Sequence, residues 1–417
     1  MKAASAPSTL PFGRDAVQKT YQRGTHRACS PNDTLARLKP LLPAFGITRV
    51  ANLTGLDRVG LPVVAVFRPN ARSSAVFHGK GIDLAAAKAS GIMEAIETWH
   101  AENAVLPLMF GSTVDLRARF HLVDTEGLPR RTDLALSAHA PLLWAEGTDW
   151  MSEAATWVPF DLVHANFTVD GPFTTDVFST DTNGLASGNT FWEAVSHGLC
   201  EIIERDATAL WRASAADRQK AMRVDLAAVT DSLCLEVLDR FAQAGLDVAV
   251  WNMTTDVGVP AFQCLIKDAS DRSGHIGSGA GCHSNRHVAL LRALTEAAQV
   301  RMTYIAGSRE DLNPDDYASA TIRHRHQSVA RMMEAGPGQR SIAGEADEIF
   351  ETFEAEVRWL LDRLRGAGLR EVVVVDLSRP DFDLSVVRVI VPFLEGSDHH
   401  RGSYVPGRRH RLQTSSS

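Results

Sequence analysis

Paired acids inside an apolar helix constrain this chain more than any other feature. The stretch GIMEAIETWH, residues 91–100, supplies Ile92, Met93, Ile96 and Trp99 as apolar bulk. It also carries Glu94 and Glu97 one helical turn apart, where like charges repel. A close relative, GLCEIIERDA, recurs at 198–207 with Glu201 and Glu204, and ALTEAAQ at 293–299 carries Glu296 and Gln299. With the residue just upstream, each copy yields a polar trio: Ser90/Glu94/Glu97, His197/Glu201/Glu204 and Arg292/Glu296/Gln299. At ~100° per residue, offsets of four and seven fall near 40° and −20°, so each trio forms one narrow stripe.

Two readings follow. The stripes are either solvent-facing edges of amphipathic helices with ordinary surface pairs, or parts of a site. Their flanks are apolar on several sides: Leu199, Ile202 and Ile203 in the second copy, Leu290, Leu294 and Ala298 in the third. A carboxylate in such surroundings needs a cation or suffers a raised pKa. Four glutamates from two facing helices would suit Mg²⁺, which takes a few carboxylates together with substrate phosphates. Arg205 and Arg292 would then face phosphate oxygens. Gly188 and Asn189 stand where the second helix begins, a position that favours anions. Glu193 lies on the same face as Glu201 and Glu204, although Thr190-x-x-Glu193 equally spells a capping box. Lys80, between the glycines of HGKGID (78–83), either reaches a phosphate or belongs to a plain turn.

A chain of 417 residues suits one large domain or two ordinary ones. The formal net charge of −7 argues against wholesale nucleic-acid or membrane-surface binding, but not against phosphate-bearing small molecules held through cations. Five cysteines with no CxxC indicate neither a disulfide framework nor a thiolate zinc site, and suit a reducing cytoplasm. The N-terminus lacks a secretory h-region, and the longest aliphatic run, VVVV at 372–375, is too short for a membrane span. A soluble cytoplasmic protein is expected.

Strand patterns are predicted over 61–68, 247–253, 370–377 and 385–391. Helices are predicted to start near Asp83, Thr190 and Ser284, with another over 345–368 closing on a glycine. Mixed elements without a strict βαβ rhythm predict an α+β fold in one domain over 19–396. Residues 1–18 are expected to be flexible, and 397–417 to form a solvated basic tail with Arg408, Arg409, His410 and Arg411. GSGAGCHS (277–284) lacks the lysine of a P-loop and breaks GxGxxG, and His283 reads as a turn residue.

On these residues the chain resembles YcaO-domain proteins. SGIMEAIE matches their SxxxExxE element, TNGLASGNTFWEAVSHGLCEIIERDA their second nucleotide-binding segment, and RALTEAAQVR (292–301) the third, with its RxxxExxQ core. The similarity runs from about Lys19 to Gly396. It implies binding of ATP with Mg²⁺ and activation of a peptide backbone amide by phosphorylation of its oxygen. By motif, Glu94, Glu97, Asn189, Glu193, Glu201, Glu204 and Glu296 become metal and phosphate ligands, the six glutamates holding the metal. Ser90, Arg205, Arg292 and Arg27 complete the nucleotide pocket.

The ending YVPGRRHRLQTSSS lacks the proline-rich tail of azoline-forming members. GITRVANLTGLDRVGLPV (46–63), NGLASGN and YVPG are similar to the branch that works with a TfuA-type partner. That resemblance implies thioamide formation on a ribosomal peptide or protein, with an external sulfur donor. Azoline formation from Cys, Ser or Thr is the alternative, and a non-catalytic accessory that binds peptide or partner is a reading of another class. A homodimer stays open. In VPFLEG (391–396) Phe393 replaces a glycine common in relatives, and its bulk is expected to narrow the peptide channel or alter a partner surface.

Overall fold

The computed structural model describes residues 15–396 and Arg408, apart from 132, 176, 179, 269–275, 310–311, 335–337 and 339. In chain order the first part gives α1 (Pro31–Leu38), β1 (Arg49–Asn52), β2 (Val63–Phe67), β3 (Val76–Lys80) and α2 (Leu84–Glu102). It continues through β4 (Leu108–Ser112), α3 (Thr113–Arg117), β5 (Pro141–Asp149), β6 (Ala154–Pro159), β7 (Leu185–Gly188) and α4 (Phe191–Ala213). Next come α5 (Ala216–Ala221), α6 (Ser232–Gln243), β8 (Leu246–Asn252), β9 (Ala261–Asp268), β10 (Gly277–Cys282) and α7 (Arg286–Ala306). The last are α8 (Ser319–Met333), α9 (Phe353–Gly366), β11 (Val373–Asp376) and β12 (Ser385–Ile390). The four strand runs expected from sequence are β2, β8, β11 and β12. The helix expected over 345–368 starts only at Phe353: Thr352 is its N-cap, and Asp347 instead bridges Asn285. Gly368 beyond its end has φ +82°, as a glycine there should.

Three antiparallel sheets form, β1–β2–β3, β8–β9–β10, and a larger one ordered β4–β5–β11–β12–β7 with β6 on β5. The larger sheet is buried on both faces. Val374, Val387 and Val389 point into one core with α4 and α9, while Val373, Val375, Val386 and Ile390 point into another with α2. Burial on both faces is why valines follow one another in β11 and β12 instead of alternating with polar residues, Arg388 being the one charge inside the β12 run.

A strand-to-helix unit occurs three times, as β3–α2, β7–α4 and β10–α7. Each helix has a side-chain cap: Asp83 accepts from the amide of Ala86, Thr190 from Glu193, and Asn285 from His287 and Val288. The third cap is Asn285, one residue after the Ser284 expected, because Ser284 turns its hydroxyl onto Glu356. Small residues let each helix lie close on its strand. A Cβ on Gly279 would stand 2.3 Å from Ala293 O and Ala297 N, and one on Gly79 2.1 Å from Ala87 O. The glycine run at 277–282 is therefore a strand pressed beneath α7, not a phosphate loop. The units also interlock: α2 touches β7, α4 touches β10, and α7 touches β3. This ring turns the three stripes toward one cleft.

Candidate functional site

Five carboxylates meet in that cleft. Glu94 and Glu97 come from α2, Glu201 and Glu204 from α4, and Glu296 from α7. The Glu94 charge feels Glu296, Glu97 feels Glu201 and Glu94, Glu201 feels Glu204, and Glu204 feels Glu296. Water reaches Glu94 through the open cleft, but protein surrounds the carboxyl closely enough that burial, ahead of any single charge, raises its pKa to about 7. Burial likewise raises Glu201 to about 7 and Glu97 well above the usual carboxylate range, and pushes Glu204 upward. Glu296 differs. Burial raises it too, but the charge and hydrogen bond of Lys80, with Arg205 behind, outweigh burial and leave it low.

Cations are interleaved with these acids. Lys80 Nζ lies 2.7 Å from Glu296 Oε2, and Arg205 Nη2 is 3.7 Å from Glu201 Oε1. Arg292 Nη2 approaches His197 Nε2 at 3.5 Å, and burial followed by the Arg292 charge keeps that imidazole neutral. Ser90 is exposed one turn before Glu94. Gln299 turns away from the acids, donating at 2.7 Å to the carbonyl of His78 and so tying α7 to β3.

Glu193 is not brought to the other five acids. Its carboxylate accepts from the amide of Ala28 at 3.0 Å and from Asn189 Nδ2 at 3.1 and 3.2 Å, with Arg27 Nε at 3.7 Å. Only the Thr190 half of the capping box forms, because the Glu193 side chain faces residues 27 and 28 instead of reaching back. Asn189 in turn accepts from Thr34 and Arg37 at 2.8 and 2.5 Å. A pocket continues inward from here past Arg27, Glu193, His197 and Arg292 to His26 and His283.

At its floor lies a buried polar knot. Glu356 accepts from Lys19 at 2.8 Å, Ser196 at 2.6 Å and Ser284 at 2.5 Å. Burial would raise its pKa, but its coupling to the His283 imidazole, the Lys19 charge and these hydrogen bonds hold it at about 2. His26, His283 and Glu356 stand close enough to ligate an ion. Yet His283 Nδ1 accepts the Asn285 amide, so the neutral ring carries its proton on Nε2, which points at Glu356. No lone pair is left there for a metal, and the knot is a structural one. His283, expected to be a plain turn residue, is thus buried in this network.

Oxygen donors crowded beside arginines fit a hard cation bound with phosphates. One Glu204 oxygen and the Nε atoms of Arg205 and Arg292 are buried with no hydrogen-bond partner among the described residues, which fits a cation and phosphate oxygens as their partners. Residues 78–395 match the model of a family described as YcaO cyclodehydratase, ATP- and Mg²⁺-binding. The chain belongs to the YcaO family. Its members are ATP- and Mg²⁺-dependent amide-modifying enzymes. An uncharacterised protein in the tfuA 3′ region of Rhizobium leguminosarum bv. trifolii is 39% identical over 376 residues, 88% of each chain. An uncharacterised protein of Methanothermobacter thermautotrophicus is 33% identical over 381 residues, 88% of this chain and 95% of the other.

Solved structures agree on the fold. The YcaO from Methanopyrus kandleri bound with AMPPCP and Mg²⁺ superposes with a TM-score of 0.71 at 24% identity, over 91% of this chain and 94% of that one. A heterocyclase in complex with substrate and cofactor gives 0.75 at 21% identity over 92% of this chain, which spans 54% of its length.

Within this YcaO fold several residues escaped the sequence reading. Ser187 Oγ donates to Glu97 at 2.9 Å, Arg309 lies near Glu94, and Arg388 stands behind Glu97 and Glu201. Expectations for the termini change in part. Asp15, Val17 and Gln18 are bound rather than loose, through Trp192, Phe353 and Thr352, while 1–14 lie outside the described residues. Arg408 is buried against Asp206 and Asp256 instead of solvated, and Arg409, His410 and Arg411 lie outside the described residues. Phe393 occupies the left-handed region at φ +71°, where glycine is favoured, and its ring covers Gly127. Among the described residues no helix is long and apolar enough to cross a membrane.

Proposed function

We propose that this chain uses ATP to phosphorylate the oxygen of a backbone amide in a ribosomally made peptide or protein, and that an external sulfur nucleophile then replaces it to give a thioamide. An amide oxygen is a poor leaving group, and its phosphate ester is a good one. The observation that carries the reading is the five-glutamate cleft with Lys80, Arg205 and Arg292 set among the acids. Bound Mg²⁺ would neutralise phosphate charge at Glu94, Glu97, Glu201, Glu204 and Glu296. Lys80, Arg205 and Arg292 would bind phosphate oxygens, while Ser90, Asn189, Glu193 and Arg27 would line the nucleotide. Such catalysis is positioning and charge neutralisation.

Thioamide formation is favoured over azoline formation by the relative in a tfuA 3′ region, which supports a TfuA-like partner that delivers sulfur or substrate. The fold shared with a heterocyclase supports the azoline alternative, in which a peptide Cys, Ser or Thr supplies the nucleophile. Incubating the chain with peptide, the TfuA-like partner, sulfide and Mg·ATP distinguishes them by mass. Thioamidation exchanges one oxygen for sulfur, whereas azoline formation loses one water. Loss of water without sulfide would overturn the thioamide reading, and ATP-independent modification would overturn both.

A further inference from the structure

Arg388 sits at the middle of β12 in a strand otherwise made of Ser385, Val386, Val387, Val389 and Ile390, and only 1% of it is exposed. The strand register pairs Arg388 with Leu185 and Val386 with Ser187. Paired residues share a face, so Arg388 points to the side from which Ser187 holds Glu97. Its Nη2 is anchored by Asp181, at 2.9 Å to the carbonyl and 3.2 Å to Oδ1. Nε and Nη1 are buried with no hydrogen-bond partner among the described residues. One partly exposed aspartate is a thin reason to bury a guanidinium in an aliphatic core, where an aliphatic residue would ordinarily pack at no loss of stability. The remaining negative charges acting on it after Asp181 are those of Glu201 and Glu97.

We propose that Arg388 is a positioning residue of the metal site: anchored by Asp181 on the β12 face shared with Ser187, its fixed charge steadies Glu97 of α2 and Glu201 of α4 from behind. Their cleft-side oxygens then face the cation. Groups that hold metal-ligating carboxylates in this way commonly set affinity as strongly as some ligands do. The inference rests on the Mg·ATP reading above.

The test is the Mg²⁺ concentration that half-saturates binding of a fluorescent non-hydrolysable ATP analogue to the full chain. Arg388→Gln is expected to raise it ~10–100-fold, with Arg388→Lys recovering part of the loss. Asp181→Asn, which frees the anchor without touching the buried strand, is expected to raise it by a smaller factor. In a Glu97→Gln background Arg388→Gln is expected to add less than it does alone, since both act on one carboxylate. An Arg388→Gln chain that is folded by its thermal transition yet stays within about twofold of wild type overturns the assignment. If that variant does not fold, unchanged Mg²⁺ dependence in Asp181→Asn overturns it. A wild-type chain that binds no nucleotide overturns the Mg·ATP reading and this inference together, whereas a normal wild type beside an unaffected variant overturns this inference alone.

Discussion

At Glu94, Glu97, Glu201 and Glu204 burial, joined by like charge, raises the pKa and disfavours the ionised form when no cation is bound, with Glu94 and Glu201 giving up their protons only at about 7. Metal ligation needs the ionised form, and binding must therefore expel protons. Mg²⁺ affinity is expected to rise as pH rises through about 7, the position of Glu94 and Glu201, with proton release seen by calorimetry in buffers of different ionisation enthalpy. Affinity independent of pH between 6 and 8, with no proton release, would remove these carboxyls from the site. The sign for folding is opposite. A raised carboxyl favours the folded chain below its ordinary value of 4.5, and that contribution is lost as pH climbs through about 7. Stabilisation by Mg²⁺ against heat is expected to grow over the same range. The repeated acids were legible in sequence because their chemistry is written within eight consecutive residues. Arg388 left one local sign, a lone charge in an aliphatic strand, and that sign alone says nothing about what it faces.

Helix α7 and strand β10 show how much of the geometry depends on absent side chains. Gly279→Val would drive a Cβ into the backbone of Ala293 and Ala297, and is expected to destabilise the chain by at least ~1–3 kcal/mol in urea unfolding. Gly366→Ala, facing open space at the end of α9, is the control and should cost nothing. Equal midpoints for the two would contradict the close helix–strand contact. The knot beneath the pocket joins α4, α9 and the N-terminal segment through Glu356. Removing one partner of its buried pair with Lys19, as in Glu356→Ala, is expected to cost ~3–5 kcal/mol, measured by chemical denaturation. A loss below about 1 kcal/mol would show that water already satisfies the pair. Neither feature is legible in the sequence. The glycines 277–281 looked like a broken loop motif because spacing alone does not reveal that a helix lies across alternate residues of a strand. Glu356 lies within the helix predicted over 345–368, and nothing in that run marks it, since its partners Lys19, Ser196 and Ser284 are far away along the chain.

For the molecule as a whole, three strand-to-helix units interlock so that each stripe faces the same cleft. The sequence carried the stripes, the α+β character and four of the strands, β2, β8, β11 and β12, because those follow from local periodicity. It did not carry the ring, because the contacts of α2 with β7, α4 with β10 and α7 with β3 are set by packing between distant segments. It also missed that Glu193 serves residues 27 and 28 and stands apart from the other acids, a distinction created by where the N-terminal segment lies. The central claim is that acids from all three helices jointly hold Mg·nucleotide. It is tested most directly by Mg²⁺-dependent binding of a non-hydrolysable ATP analogue to wild type, Glu94→Ala and Glu204→Ala, with thermal transitions confirming that each variant is folded. Wild type is expected to bind only with Mg²⁺, and each folded variant to lose at least tenfold in affinity, about 1.4 kcal/mol. Equal binding by all three chains, or binding that ignores Mg²⁺, would contradict it.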